Sequence, residues 1–269
     1  MPLSVQAALL GVIQGVTEFL PVSSTAHLLL AGRLLGHDDP GGVFTVIIQF
    51  GSILAIVWLY RAKIMRVVAE LPTRPEARQF VLAVAVATVP ALLAGAFLAP
   101  FVKGVLYASP RVFAWAFIVG GIVMLIVERL RPTPKVEDAD RTPIGRALGI
   151  GCCQMLALVP GVSRSGATIV GAMMLGLDRP AAAEFSFFLA IPTMTAAFAH
   201  DLLEVRSQLS PGRALELTIG LVAAFVASLL VVKPFLGFVR RSGFAGFAWY
   251  RIILGITLLA AIALGWMTA

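Results

Sequence analysis

Two short polar clusters interrupt an otherwise apolar sequence. The first runs Gln14-Gly-Val-Thr-Glu18-Phe-Leu-Pro21-Val-Ser23-Ser24-Thr25-Ala-His27. Gln14 and Glu18 are four residues apart and so share one helix face. A carboxylate inside an apolar helix is costly and marks function by default. Ser24 and His27 are three apart across the start of the next helical arm. If that arm is helical from Thr25, Ser24 is its N-cap and His27 lies in its first turn. A serine beside an imidazole is a nucleophile with its base. The same residues also read as plain helix capping by Ser23, Ser24 and Thr25, with His27 as an interfacial histidine.

The second cluster is Pro160-Gly-Val-Ser163-Arg164-Ser165-Gly166-Ala-Thr168. Arg164 is the sole basic residue between Arg146 and Arg179. A guanidinium there needs an anion: Glu18, Glu184 or a ligand. Ser163, Ser165 and Thr168 surround it at a helix start, whose N–H groups and dipole attract phosphate. Arginine adds a fork matched to phosphate oxygens. Across the two clusters the parts form a phosphoryl-transfer kit. Glu18 can hold a hard cation, Mg²⁺ or Ca²⁺, with water and phosphate oxygens completing its shell. Glu184 is a further acid within apolar sequence, expected either to orient Arg164 or to cap the following helix.

These residues need a membrane scaffold. Hydrophobic residues make up 59% of the chain and charged residues only 13%, against about 25% charge in a soluble domain. Uncharged runs such as 43–60, 80–102, 112–127 and 252–269 approach the roughly 20 apolar residues that cross a bilayer. At the ends of the short third run, Arg111 and Glu128 can snorkel to the interfaces. The net charge of +7 does not indicate nucleic acid, because the basic residues fall between apolar runs rather than along one soluble face. Cys152 and Cys153 are adjacent, which argues against a disulfide or a metal cluster. The first basic residue is Arg33, so the apolar N-terminal stretch lacks the charged region of a cleaved leader.

A polar segment, 128–146, holds five basic residues, four acidic residues and three prolines and divides the chain into similar halves. Pro21 and Pro160 are 139 positions apart, each following a buried-type glutamine, Gln14 or Gln154. The stretch beginning Gln49-Phe50 resembles the one beginning Glu184-Phe185, 135 positions later. Two matched blocks in one order suggest a duplication, and they make Gln49 and Glu184 supporting residues of the site. Residues 1–131 form the first repeat and 142–269 the second. Each is an apolar hairpin broken by Pro, Gly and Ser (about 5–35 and 144–177) followed by three long helices. Non-helical backbone at membrane depth needs protein or a wet cavity around it, so both hairpins read as re-entrant. Three crossings per half invert the second repeat, and such folds place their site where broken helices meet. The expected fold class is therefore an all-α polytopic membrane protein with an inverted-topology repeat. Most basic residues fall in segments 61–79, 128–146 and 233–251, which the positive-inside rule puts in the cytoplasm, leaving both termini outside.

The whole chain resembles the undecaprenyl-pyrophosphate phosphatases of bacteria, the bacitracin-resistance type. The resemblance is carried by Gln14-x-x-x-Glu18 leading into Phe19-Leu-Pro-Val-Ser-Ser-Thr-Ala-His27, and by Pro160-Gly-Val-Ser-Arg-Ser-Gly-Ala-Thr168. It implies removal of the terminal phosphate from undecaprenyl pyrophosphate, which recycles a lipid carrier for cell-wall synthesis. It also implies a divalent cation, and a site facing the periplasm from the bacterial inner membrane. The family's acidic motif opens with Glu or Gln. Gln14 here leaves Glu18 as the principal metal ligand, with Gln14 beside it. On this reading Ser24 attacks phosphorus and His27 or Glu18 takes its proton. Arg164, Ser163, Ser165, Thr168 and Ser23 hold phosphate oxygens. Attack by metal-bound water or by His27 stays open. The competing function is a polyprenyl-phosphate flippase, which would need the same anion clamp. The expected partners are the lipid substrate and the bilayer. A homodimer is compatible with the sequence, which does not fix the oligomeric state.

Overall fold

In hydrocarbon every backbone N–H and C=O must find a partner within its own segment, and only helices or closed barrels do this. The long uncharged runs accordingly fold as helices. The computed structural model describes residues 1–106, 109–206 and 211–265, so 266–269 of the expected last apolar run lie outside the described residues. The helices are α1 (Leu3–Thr17), α2 (Ser24–Leu35), α3 (Val43–Leu59), α4 (Arg61–Glu70), α5 (Pro75–Phe101), α6 (Pro110–Leu130), α7 (Ile144–Met155), α8 (Arg164–Met174), α9 (Arg179–Val205), α10 (Ala214–Ser242) and α11 (Ala245–Ala263). Among the described residues no strand forms, only one isolated bridge between Val136 and Leu177.

Six helical stretches are long and apolar enough to cross a bilayer: Pro40–Leu59, Pro75–Leu98 and Pro110–Leu130 in the first half, and Arg179–Val205, Ala214–Ser242 and Ala245–Ala263 in the second. Their outer faces carry large exposed apolar side chains, among them Leu93, Phe97, Trp115, Leu230 and Ile253. A soluble monomer does not present so continuous an apolar surface. The chain is an all-α polytopic membrane protein.

Local sequence sets the helix starts. Asp39 accepts from the backbone N–H groups of Phe44 (2.7 Å) and Thr45 (2.9 Å) and so opens α3. Asp178 accepts from Ala181 N–H at 2.7 Å and opens α9, with Pro180 in its first turn. The basic segment after α3 is itself a helix, α4, which keeps Arg61 and Arg66 exposed.

The helix pairings exchange the two halves. α1 packs along α10 while α7 packs along α5, α3 packs on α10 while α9 packs on α5, and α6 pairs with α11. Small residues permit the close approach that membrane helices use in place of a hydrophobic drive. A Cβ at Gly15 would collide with the Ala224 carbonyl on α10, and one at Gly151 with the Ala87 carbonyl on α5. The short arms α1–α2 and α7–α8 form two hairpins whose tips, residues 18–23 and 156–163, meet inside this frame.

Candidate active site

α1 ends at Thr17, which places Glu18 at its C-cap, and the chain turns through Leu20–Val22. Ser23 then takes φ 69°, ψ 89°. It is the sole non-glycine residue with positive φ among the described residues. A serine held there stores strain that the surroundings must over-determine. The turn reverses the chain so that Ser24 begins α2 facing back toward Glu18. Ser24 is therefore not the N-cap expected from the sequence: Ser23 holds the cap position, makes no capping bond, and Ser24 is already helical. The Ser24 hydroxyl is free for another partner and donates to Glu18 Oε2 at 2.6 Å.

The second tip is capped conventionally. Ser163 Oγ accepts from Gly166 N–H at 3.1 Å, and Arg164 is the first residue of α8. Arg164 Nη2 donates across the halves to Glu18 Oε1 at 3.0 Å and to Met194 Sδ at 3.1 Å, while Nη1 donates to the Ser186 carbonyl at 3.3 Å. Its Nε is buried with no partner. Gln14 Nε2 donates to Glu18 Oε2 at 2.9 Å. One buried carboxylate thus receives an amide, a hydroxyl and a guanidinium, and it joins the first residues of two helices. The first residue of each helix reaches the same carboxylate, and a helix start favours an anion.

The serine–histidine pair does not form. His27 Nδ1 lies 2.8 Å from the Ser23 carbonyl, which can only accept, so Nδ1 carries the proton. Nε2 is then the acceptor, and the Tyr250 hydroxyl donates to it at 2.5 Å. The imidazole stacks on Tyr250 with centroids 5.7 Å apart. Both ring nitrogens are spent away from Ser24, so Glu18 is the acceptor beside the hydroxyl. Ser24 and His27 lie three apart within α2, yet Ser24 bonds Glu18 on the first tip while His27 bonds Tyr250 on α11.

Three hydroxyls expected to hold phosphate serve the scaffold. Ser165 Oγ donates to the Leu20 carbonyl at 2.7 Å and shares a 2.9 Å hydrogen bond with Ser163 Oγ, tying the two tips together. Thr168 Oγ1 donates to the Arg164 carbonyl and pairs with Ser186 Oγ at 2.6 Å, packing α8 on α9. Ser23 keeps a hydroxyl without a capping bond at the tip. Glu184 neither orients Arg164 nor caps a helix. It pairs with Lys63 at 3.1 Å, and Lys63 also binds Asp140 at 2.5 Å. Gln49 lines a cavity of about 580 Å³ that reaches Thr25 and is walled by Leu28, Phe44, Leu158 and Asp39 among others.

The family model for "Bacitracin resistance protein BacA" matches residues 7–257. The chain belongs to the BacA family. It is 49% identical over 259 residues to the undecaprenyl-diphosphatase of Cereibacter sphaeroides (strain ATCC 17025 / ATH 2.4.3), covering 96% of this chain and 97% of that protein. Undecaprenyl-diphosphatase 1 of Agrobacterium fabrum (strain C58 / ATCC 33970) is 49% identical over 262 residues, 97% and 98% of the two chains. The undecaprenyl-diphosphatase of Paracoccus denitrificans (strain Pd 1222) is 46% identical over 263 residues, 98% of each.

In this BacA-family chain the donor set fits a hard cation. Gln14 Oε1 is buried without a partner on the helix face that carries Glu18. An orphaned amide oxygen beside a carboxylate is the kind of oxygen pair that Mg²⁺ and Ca²⁺ accept. Sequence reasoning missed two residues that touch the tips. Tyr250 carried no signal. Arg251 was counted with the basic residues of the cytoplasmic side, yet it is 2% exposed and donates to the carbonyls of Pro21, Ala116 and Gly161. Ten and eleven residues upstream, Arg241 and Arg240 are exposed, as a charge count assumes for all three.

Proposed function

We propose that this chain hydrolyses undecaprenyl pyrophosphate to undecaprenyl phosphate and inorganic phosphate, recycling the lipid carrier for cell-wall synthesis and giving bacitracin resistance. The observation that carries the reading is Glu18, which holds the Ser24 hydroxyl at 2.6 Å and the Arg164 guanidinium at 3.0 Å at the starts of two helices. Near-full-length likeness to relatives named undecaprenyl-diphosphatase supports the substrate.

In the first step Ser24 Oγ attacks the terminal phosphorus while Glu18 Oε2 takes its proton. The bond from that phosphorus to the bridging oxygen breaks, and undecaprenyl phosphate leaves with the electron pair. Water then attacks the phosphoserine phosphorus, the P–Oγ bond breaks, Glu18 returns its proton to Ser24 Oγ, and both protons of the water leave with inorganic phosphate. Arg164 offers its unspent Nε–H to a phosphate oxygen, and the N–H groups at the starts of α2 and α8 face the charge that develops. Glu18 and Gln14 Oε1 would hold a divalent cation, Mg²⁺ or Ca²⁺, which when bound supplies charge neutralisation to the pyrophosphate. The exchanged helix pairings support an inverted repeat with two re-entrant hairpins, residues 1–131 against 142–269. The distribution of basic residues supports a bacterial inner-membrane protein whose site faces the periplasm.

The test is phosphate release by purified protein in detergent, from farnesyl pyrophosphate and from the long-chain lipid, with divalent cation and with chelator. Metal-dependent release, lost in Ser24→Ala and Arg164→Ala, is expected. No release from either lipid by folded wild type, coupled with lipid movement across sealed vesicles, would replace the phosphatase with a flippase.

A further inference from the structure

Arg251 has no role in the chemistry above, and its environment is unusual. It is the largest fully buried side chain among the described residues. No carboxylate pairs with it among the described residues; its partners are three backbone carbonyls. Nη1 donates to Pro21 at 3.2 Å, and Nη2 donates to Gly161 at 3.1 Å and Ala116 at 2.9 Å. The ring of Phe117 lies 5.3 Å from the guanidinium carbon. A buried charge that forgoes a counterion is costly, so what it bonds to is informative. Pro21 lies three residues before Ser24 on the first tip. Gly161 lies three residues before Arg164 on the second.

The surroundings are shaped for that fork. A Cβ at Gly120 on α6 would collide with Arg251 Nη2. Gly161 has φ +88°, and a Cβ there would press on the Phe113 backbone of α6. The preceding residue on α11, Tyr250, reaches the first tip by a second route: its hydroxyl holds His27, and His27 holds the Ser23 carbonyl. Two neighbouring side chains of one helix therefore brace the tip on both sides of Val22, Arg251 directly at the Pro21 carbonyl and Tyr250 through His27 at the Ser23 carbonyl, and Arg251 also bonds the opposite tip.

We propose that Arg251 is a positioning residue that clamps the two hairpin tips at a set separation and so fixes Ser24 against Arg164, with Tyr250 and His27 bracing the strained Ser23. The effect on turnover rests on the phosphatase reading; the clamp itself does not. Arginine suits the task because its planar fork reaches carbonyls in two directions, whereas a lysine ammonium acts as a single point. Since the clamp touches neither phosphate nor lipid, its loss falls on the transition state more than on ground-state binding.

The experiment pairs hydrogen–deuterium exchange mass spectrometry with phosphate release for the full-length protein in detergent. The variants are Arg251→Met, Arg251→Lys and Gly120→Ala, with Tyr250→Phe for the side brace and exposed Arg240→Met as control. Gly120→Ala keeps the charge but displaces the guanidinium, so it answers if Arg251→Met fails to fold. In Arg251→Met and Gly120→Ala, exchange is expected to speed up in peptides covering both 19–25 and 159–166, with kcat down about 100-fold for a misplacement near 1 Å and KM nearly unchanged. Arg251→Lys is expected to recover part of kcat, and Tyr250→Phe to loosen 19–25 alone. Unchanged protection of both tips in the folded Gly120→Ala protein, or loosening no greater than in Arg240→Met, overturns the clamp. Loosened tips with no phosphate release by wild type would overturn the phosphatase reading and leave the clamp standing.

Discussion

Glu18→Gln is the substitution that separates charge from shape in this site. The amide is isosteric, so the hydrogen bonds can be followed atom by atom. Its oxygen can face Arg164, now 3.0 Å from Oε1. Its NH₂ then faces the place of Oε2, where Gln14 Nε2 and Ser24 Oγ donate at present. Gln14 can turn its amide over and offer the oxygen that has no partner in the native protein. Ser24 can accept instead of donating. The three contacts of the carboxylate are all replaced, at the cost of leaving Gln14 Nε2 where its oxygen had no partner, and the fold loses mainly the charge that balances Arg164. Breaking a buried pair outright costs about 3–5 kcal/mol; with the hydrogen bonds kept, the loss should be nearer the 1.5–3 kcal/mol of a charge-assisted bond. Catalysis loses far more. Ser24 no longer has a group to take its proton, and a positioned general base contributes about 10²–10⁴-fold, or roughly 3–5.5 kcal/mol at 1.36 kcal/mol per decade. The assay is phosphate release against pH beside thermal unfolding in the same detergent. The variant should fold and be slow at every pH. A Glu18→Gln enzyme with near-native kcat would refute the assignment of Glu18 as base.

Ser24→Ala should leave thermal stability almost unchanged, because Glu18 keeps two donors, yet abolish release; acid quench of wild type during turnover should trap phosphate on Ser24 and on no other residue. Gln14→Glu would set a second carboxylate beside Glu18 and should lower the divalent-cation concentration for half-maximal activity, read by titrating Mg²⁺ into chelated enzyme. Gly15→Val would force α1 off the Ala224 carbonyl of α10 and should lower the thermal midpoint sharply, overpacking costing about 1–3 kcal/mol or more; a midpoint like that of wild type would contradict the described packing.

Much of the architecture was legible in the sequence because the membrane leaves the chain few options. Uncharged runs bounded by Pro, Asp or Arg became crossings, and Pro-Gly-Ser breaks became hairpin tips. Glu18 pairs with Arg164 as the sequence allows, since a carboxylate and a guanidinium in apolar sequence need one another. The differences arise from tertiary partners that spacing does not reveal. Ser24 and His27 share one helix, but Glu18 takes the serine and Tyr250, 223 residues away, takes the imidazole. Glu184 was assigned by its position in a repeat, but Lys63 on α4 intercepts it. Arg251 was assigned by charge counting, which cannot distinguish a guanidinium that snorkels to an interface from one that satisfies three buried carbonyls. The Ser165 and Thr168 hydroxyls make tip-to-tip and helix-to-helix contacts, which residue spacing does not reveal.

The bond between Glu18 and Arg164 spans 146 residues of chain, and this bears on how the protein is made. A ribosome that has delivered the first half has already placed Glu18 and Ser24 in the bilayer, but the cation that balances Glu18 has not yet been synthesised. Until α8 arrives, that carboxylate has only Gln14 and Ser24 as partners, and the first hairpin lacks the bond that ties it to the second. Assembly of the second hairpin therefore does two things at once: it balances the charge of the first and completes the cluster around Glu18. A truncated or stalled chain would be silent rather than partly active, so a membrane full of half-made copies could not hydrolyse its lipid carriers out of turn.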